Sequence, residues 1–265
     1  MLFKKYFQSP LEQGFMLHNT YVIKRLVGEG AYGFSYLAEH INNGHEVLIK
    51  QQRLSKGKKG KRSFLLEAEI LQKLNNHPNV PSFYELFETD NMIYLVMEFI
   101  KGKTFEEVIF DDLIVFNEEK SFKQINDILN VLQLIHEKNI VHRDLRIPNI
   151  LLDGDRITII DFGLAANLEI PENEKFFVSK RKKLFRERSF QSDFYGLGHF
   201  LLFLLYSGYV PSSSAKEKSW NEELSLMPEA QKIIGKMLQL EPPYRNCKEL
   251  KDDIEMYLNS IEVNK

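Results

Sequence analysis

The chain has 265 residues, of which 43% are hydrophobic, so it can bury a substantial core in one large domain or in two joined lobes. Its 35 Lys and Arg residues nearly balance its 37 Asp and Glu residues. The resulting net charge of −2 excludes a strong global attraction to nucleic acid or to an anionic membrane.

The composition and the first residues favour a cytoplasmic protein. The segment MLFKKYFQSPLEQG reaches Gln8 and Pro10 before a long apolar run can form, so we expect no secretory signal. The only cysteine, Cys247, cannot form an internal disulfide, which fits a reducing compartment.

The first part of the chain is predicted to be mostly β-sheet. Residues 1–20 form an extension ahead of a strand that begins at Tyr21 and leads through a glycine loop into a second strand. The turn-like INNGHE precedes a third strand, EVLIKQ. The charged connection 55–62 is expected to be a solvated loop, and SFLLEAEILQKL after it has the spacing of one amphipathic helix. Two more strands are predicted over PSFYELFE and NMIYLVMEF.

After Gly102 the pattern becomes mainly helical. FKQINDILNVLQLIHEKN and PEAQKIIGKMLQL show helical periodicity, while IVH, ILLD and ITIID are typical of short strands. The most apolar stretch, residues 195–210, is shorter than the roughly 20 residues of a spanning helix and contains His199. We therefore predict a helix buried in a large lobe and no membrane partner.

A glycine motif, GEGAYG, lies between the first two predicted strands with glycines at Gly28, Gly30 and Gly33. Glycines let backbone amides approach phosphate oxygens without a side chain in the way. A dinucleotide-binding fingerprint shares the spacing but leads into a helix, whereas FSYLAEH after this motif is strand-like. A purely structural glycine hairpin is the alternative for the motif alone.

A lysine and a glutamate follow the glycine motif. Lys50 ends the apolar strand VLIK and is well placed to meet nucleotide phosphates. Without the neighbouring motifs, a lysine at the end of a strand would be interpreted as an ordinary surface residue. Glu67, on the predicted helix, is a candidate ion-pair partner for Lys50. Glu69 is the rival, but it projects from a different side of the helix.

Oxygen ligands are concentrated in HRDLRIPN and IIDFG. Asn149 follows Asp144 by five residues, and Asp161 follows it by 161 − 144 = 17 residues. One carboxylate can meet a substrate hydroxyl, while the amide and the second carboxylate hold magnesium, which prefers oxygen ligands.

Together these motifs resemble the eukaryotic-type protein kinase family, and within it a compact bacterial serine/threonine kinase. The motifs follow the family's order over roughly residues 21–260. In chain order they are GEGAYG, VLIK, the helix with Glu67, HPNV, YLVMEF, HRDLRIPN, DFG and SDFYGLG. The resemblance implies an α+β, bilobal fold: a small antiparallel N-lobe with one helix (about 21–97) and a larger, mainly helical C-lobe (about 101–262). Residues 1–20 would precede a kinase domain at 21–262.

The resemblance also implies a role for each motif residue. Asp144 would accept the proton of the substrate hydroxyl, and Lys50, paired with Glu67, would grip the α- and β-phosphates. Arg146 would replace the family's usual lysine near the γ-phosphate. Asn149 and Asp161 would hold Mg²⁺, with Mn²⁺ as the alternative metal. ATP would contact the glycine loop, the strands and the hinge: Gly28, Glu29, Gly30, Ala31, Gly33, Ser35, Leu48, Lys50, Met97, Glu98, Phe99 and Leu151.

Two positions near adenine and one motif depart from the family pattern. Leu48 stands where alanine is preferred, and Ser35 where valine is usual; the leucine adds bulk to a snug pocket. No APE motif follows the DFG, so the structural arginine, Arg245, has only Glu187 as a candidate partner. Asp193, in SDFYGLG, would brace the backbone of the catalytic loop, the HRDLRIPN segment that carries Asp144.

The segment that lacks the APE motif is strongly basic from Lys175 onward. A solvated loop is the default interpretation of such a run, and attraction of an acidic substrate is the alternative. Ser179 is a candidate phosphorylation site facing Arg143, and an unmodified loop serine is the other interpretation.

The implied activity is ATP-dependent phosphorylation of serine and threonine in protein substrates, with no nucleic-acid partner and the oligomeric state left open. An arginine at the position of Arg146 also resembles the motif of some tyrosine kinases, so tyrosine specificity is one alternative. A pseudokinase acting as a binding module is another, against which Lys50, Asp144, Asn149 and Asp161 argue as a complete set. A small-molecule kinase related in fold is the third alternative, but such enzymes have an HGD-type loop, whereas this chain has HRD.

Overall fold

The computed structural model describes residues 8–30, 32–75, 77–171, 180–210 and 218–263. Ala31, Ser179 and the start of the basic segment at Lys175 lie outside the described residues. The chain divides into two compact units. The first comprises the chain up to Lys101 together with Asp161–Leu164, and the second comprises Gly102–Ile160 and the chain from Ala165 onward.

The first unit is built on an antiparallel sheet of six strands in the order β1-β2-β3-β4-β6-β5. The strands are β1 (Met16–Leu17), β2 (Tyr21–Glu29), β3 (Gly33–His40), β4 (Glu46–Gln52), β5 (Phe83–Thr89) and β6 (Met92–Glu98). The predicted sheet-rich lobe is confirmed. Strand β1, which pairs with the start of β2, lies within the segment predicted as an extension.

The two faces of this sheet differ because buried residues alternate along its strands. Tyr36 and Ile49 are opposite each other in register and completely buried in the core of the unit. Leu48 and Lys50 alternate with Ile49 along β4, so they lie on the opposite face, which Ser35 shares as the register partner of Lys50. This second face carries the predicted nucleotide-binding residues.

Helix α1 (Gly57–Lys73) begins earlier than predicted. The prediction of a loop over residues 55–62 is wrong, because Leu54–Lys56 forms a 3-10 turn and the α-helix follows at once. Gly60 is buried there, and a Cβ on it would lie 2.7 Å from Lys56 Cβ and 3.0 Å from Gln52 Nε2. Close packing against the end of β4 thus overrides the loop-like composition.

The second unit is mainly helical, as predicted. Its described helices are α2 (Phe105–Phe110), α3 (Glu118–His136), α4 (Lys180–Arg186), α5 (Phe190–Tyr206), α6 (Trp220–Glu223), α7 (Pro228–Met237) and α8 (Cys247–Val263). Short antiparallel strands accompany them: β7 (Lys103–Thr104), β8 (Ile140–Val141), β9 (Ile150–Asp153), β10 (Arg156–Ile159) and β11 (Ala166–Asn167). They form one sheet ordered β10-β9-β7 and one pair, β11-β8.

Helix α5 forms the centre of this unit. It is apolar nearly all round, and Leu197, Leu201 and Leu204 are completely buried, which confirms the prediction of a core helix. Asp193 is also completely buried near its N-terminal end. Within the part of the chain that the structure describes, no helix combines the length and apolarity needed to cross a bilayer.

Candidate active site

The glycine loop joins β2 to β3. The N–H of Gly30 donates to the carbonyl oxygen of Gly33 at 2.9 Å, and a Cβ on Gly33 would lie 2.0 Å from the Gln51 carbonyl oxygen, so packing alone demands glycine at this position. A Cβ on Gly28 would meet nothing within 4 Å, and one on Gly30 would meet nothing closer than 3.9 Å. Protein packing does not demand glycine at these two positions, and the bare backbone leaves room for a ligand.

Arg53, just after β4, holds this loop and was missed by the sequence analysis. Its Nε donates to the Gly30 carbonyl oxygen at 3.1 Å, and its guanidinium group pairs with Glu29. The guanidinium carbon lies 4.5 Å from the centroid of the Phe34 ring, within cation–π range. No motif signals these contacts, because they arise only when β3 and β4 pair.

Lys50 contacts two carboxylates within the first unit. Its Nζ lies 2.6 Å from Glu67 Oε1 and 2.8 Å from Asp161 Oδ1. The contact with Glu67 is the one expected from the sequence, and the rival Glu69 is exposed. The Ser63 hydroxyl donates to the Gly163 carbonyl oxygen at 3.1 Å and so ties α1 to the segment that carries Asp161.

Burial and charge act in opposite directions on this group of residues. Burial alone would lower the pKa of the Lys50 ammonium, but Asp161 and Glu67 outweigh it and hold the pKa above its ordinary value. Burial raises the pKa of Glu67, and Lys50 opposes that shift. Lys50 therefore remains a cation at neutral pH.

A cavity of about 140 Å³ opens beside these residues. Six predicted site residues are in its wall: Gly30, Gly33, Ser35, Lys50, Glu67 and Asp161. The cavity thus brings the glycine loop, the cation and both carboxylates together in the first unit.

The predicted adenine residues fall into two groups. Met97 is the register partner of Leu48, so these two side chains share the sheet face of Lys50. Glu98 ends β6; its N–H donates to the Ser82 carbonyl oxygen at 2.9 Å, and Phe99 follows it. Leu151 belongs to the second unit, where it is buried on β9.

In the second unit, Asp144 is buried and held on both carboxylate oxygens. Oδ2 lies 2.9 Å from Arg146 Nη2 and 3.1 Å from Asn149 Nδ2, and Oδ1 lies 3.2 Å from Arg186 Nη1. Asn149 Nδ2 also donates to the Asp144 carbonyl oxygen at 2.9 Å. Three predicted residues are thus brought together, and Arg186 is a further contact that no motif indicated.

Asp193 braces the backbone ahead of Asp144. It accepts hydrogen bonds from the N–H of His142 at 2.8 Å and of Arg143 at 2.7 Å, the latter residue having a positive φ of 65°. His136 Nε2 lies 2.9 Å from Asp193 Oδ2, and Cys247 Sγ lies 3.3 Å from His136 Nδ1. Elements α3, α5 and α8 therefore meet at one buried polar chain.

The ionisation of this chain is set by burial and hydrogen bonding. Burial opposes ionisation of Asp193, but the hydrogen bonds from His136 and the Arg143 backbone outweigh it and keep the pKa of the carboxyl below its ordinary value. Burial, with the nearby Asp193 charge, raises the pKa of the Cys247 thiol to about 12. Cys247 therefore stays a thiol rather than becoming a reactive thiolate.

Arg245 does not pair with Glu187. Its guanidinium group contacts Glu249 on α8, with 2.5 Å between Nε and Oε1. The candidate partner from the sequence is thus incorrect, because a glutamate four residues after Arg245 is available on the adjoining helix turn.

The chain is similar to protein kinases. The family model described as protein kinase domain matches residues 21–259. A relative described as a probable serine/threonine-protein kinase, YbdM of Bacillus subtilis (strain 168), is 35% identical over 262 residues, covering 98% of this chain and 98% of the relative. Calcium-dependent protein kinase 4 of Plasmodium falciparum (isolate 3D7) is 28% identical over 97% of this chain, which spans 51% of that relative's length.

Proposed function

The chain belongs to the protein kinase domain family, and we propose that it transfers the γ-phosphoryl group of ATP to serine and threonine hydroxyls of proteins. The observation that carries the proposal is Lys50, held between Glu67 and Asp161 beside a glycine loop. The B. subtilis relative, which is matched over 98% of its length and described as a probable serine/threonine-protein kinase, supports serine and threonine as acceptors.

For ATP, we assign the phosphates to the glycine loop and to Lys50. The room beside Gly28 and Gly30 fits phosphate oxygens that approach the backbone amides. Glu67 orients Lys50 toward the α- and β-phosphates, and Arg53 holds the loop in place. Because the N–H of Glu98 already donates to the Ser82 carbonyl oxygen, the carbonyl oxygen of Glu98 is the group we assign to adenine.

For the metal, we assign Asp161 and Asn149 as the protein ligands of Mg²⁺, with Mn²⁺ as the alternative. Both supply oxygen, which suits these ions. The amide nitrogen of Asn149 is occupied by its hydrogen bonds to Asp144, so the amide oxygen is the atom we assign to the metal. When bound, the ion supplies neutralisation of the phosphate charge.

For the acceptor, we assign Asp144 as the group that orients the substrate hydroxyl and takes its proton. The carboxylate is held in a fixed orientation by contacts on both oxygens, which supports a positioning role. Arg146, whose side chain is 55% exposed, can offset negative charge on the transferred group while staying next to Asp144.

We also propose that the kinase domain spans residues 21–262 and that the protein acts on other proteins in the cytoplasm. The near-neutral net charge supports the absence of a nucleic-acid partner, and the single cysteine supports a reducing compartment.

The chemical identity of the product tests the proposed acceptor. Purified protein is incubated with γ-labelled ATP, Mg²⁺ and a generic protein substrate, and the labelled protein is hydrolysed in acid. We expect labelled phosphoserine and phosphothreonine. Label confined to phosphotyrosine, or transfer only to small hydroxyl compounds, would contradict the assignment.

A further inference from the structure

Two arginines of the basic segment reach backbone carbonyls that are distant in sequence. Arg186, the last residue of α4, donates through Nη1 to the carbonyl oxygen of Arg143. Arg188 donates through Nη2 to the carbonyl oxygens of Asn167 and Ile170. The same short stretch is thus fastened both to the catalytic loop and to the chain at and after β11.

These contacts differ from those of a solvated basic surface. Arg186 also lies beside Asp144, whose side chain is only 6% exposed, while the Arg186 side chain is 33% exposed. A guanidinium group offers several donors in a rigid fork and can serve two acceptors at once. Hydrogen bonds from a charged donor are also stronger than neutral ones.

Arg245, the arginine that the sequence indicated as structural, does not attach this stretch to the catalytic loop or to β11. Arg245 pairs with Glu249, and its side chain is 85% exposed. Ion pairs of such exposure contribute little to stability. Among the described residues, it is Arg186 and Arg188 that link this stretch to the catalytic loop and to β11.

We propose that Arg186 and Arg188 are positioning residues for phosphoryl transfer: Arg186 fastens this stretch to the catalytic loop and orients the Asp144 carboxylate, and Arg188 fastens it to the chain at and after β11. The proposal rests on the proposed function, because it takes Asp144 as the group that meets the substrate hydroxyl. Arg146 and Asn149 hold Oδ2, and among the described residues Arg186 is the side chain that contacts Oδ1.

Steady-state kinetics with γ-labelled ATP and a generic protein substrate test the catalytic part. We expect Arg186→Gln to lower kcat by about a hundredfold, the usual cost of misplacing a reacting group by about 1 Å, with KM for ATP nearly unchanged. Arg186→Lys should recover part of the loss, because it restores a cation near Asp144 without the fork. Arg245→Gln, a matched loss of an arginine from an exposed ion pair, should keep the wild-type kcat.

Hydrogen exchange read by mass spectrometry tests the attachment without using activity. Arg188→Gln should speed exchange in a peptide covering residues 165–171, and Arg245→Gln should not. Wild-type exchange in Arg188→Gln would overturn the attachment.

For Arg186→Gln, wild-type or higher kcat, or a loss matched by Arg245→Gln, would overturn the positioning role. If the wild type transfers no phosphate at all, the proposed function fails, and the orientation of Asp144 for transfer fails with it, while exchange still decides the attachment.

Discussion

Lys50 keeps its positive charge because two carboxylates face it in a largely buried position. The pKa of its ammonium is raised in the folded state, so its contribution to stability is complete below the ordinary value of 10.5 and is lost only as the pH rises through the higher folded value. Lys50 should therefore stay a cation throughout the neutral range. A pH dependence of activity near neutrality would have to come from groups other than the Lys50 ammonium.

The two glutamates on α1 provide a matched pair of variants. Glu67→Gln removes the charged partner of Lys50, and we expect kcat/KM for ATP to fall by about tenfold or more, since a hydrogen bond between charged groups contributes roughly 1.5–3 kcal/mol. Glu69→Gln removes an exposed charge from the same helix and should have almost no effect. Steady-state kinetics at varied ATP check both. A loss in Glu69→Gln with normal kinetics in Glu67→Gln would reverse the assignment.

At the scale of elements, Asp193 joins three helices to the catalytic loop. It lies on α5, its partner His136 ends α3, and Cys247 at the start of α8 contacts the other ring nitrogen of His136. The same carboxylate satisfies the N–H groups of His142 and Arg143. Because these groups are buried, loss of the acceptor leaves unsatisfied donors next to Asp144.

Asp193→Asn tests this chain through the pH dependence of stability. The carboxyl has a lowered pKa in the folded state, so its ionised form adds stability above the ordinary value of 3.8, and the addition is lost as the pH falls through the folded value. At pH 7 we expect the variant to lose about 3 kcal/mol of unfolding free energy, as expected for breaking a buried charged network. Below about pH 4 the difference from wild type should shrink.

Urea unfolding followed by Trp220 fluorescence measures the effect, because the only tryptophan of the chain lies in the second unit together with Asp193. Cys247→Ser keeps a donor toward His136 and serves as a control that should lose less stability. A constant difference between wild type and Asp193→Asn from pH 7 down to pH 2 would contradict the ionised chain.

For the molecule as a whole, the sequence predicted what depends on short-range spacing. Local periodicity and motif order predicted the strands around the glycine loop, the contact between Lys50 and Glu67, and a buried helix at 195–210, which the structure places at Phe190–Tyr206. The early start of α1 did not, because the buried position of Gly60 depends on the packing of the helix against β4.

Contacts between distant segments escaped prediction for the same reason. Arg53, Arg186 and Arg188 look like ordinary surface cations in the sequence, and their carbonyl acceptors carry no sequence signal. Backbone acceptors can be assigned only when register and loop geometry are known. The partner of Arg245 was also predicted incorrectly, but that contact is local, because Glu249 lies four residues later in the first turn of α8.

The central claim is that Asp144 enables ATP-dependent phosphorylation of a protein. The most direct test is γ-phosphate transfer from labelled ATP with Mg²⁺, measured side by side for wild type, Asp144→Asn and Asp155→Asn, the last removing an exposed carboxylate near the β9–β10 turn. We predict protein-bound label with wild type and Asp155→Asn, and a loss of about a hundredfold or more in Asp144→Asn. Equal transfer by Asp144→Asn, or no transfer and no nucleotide binding by the wild type, would contradict the account.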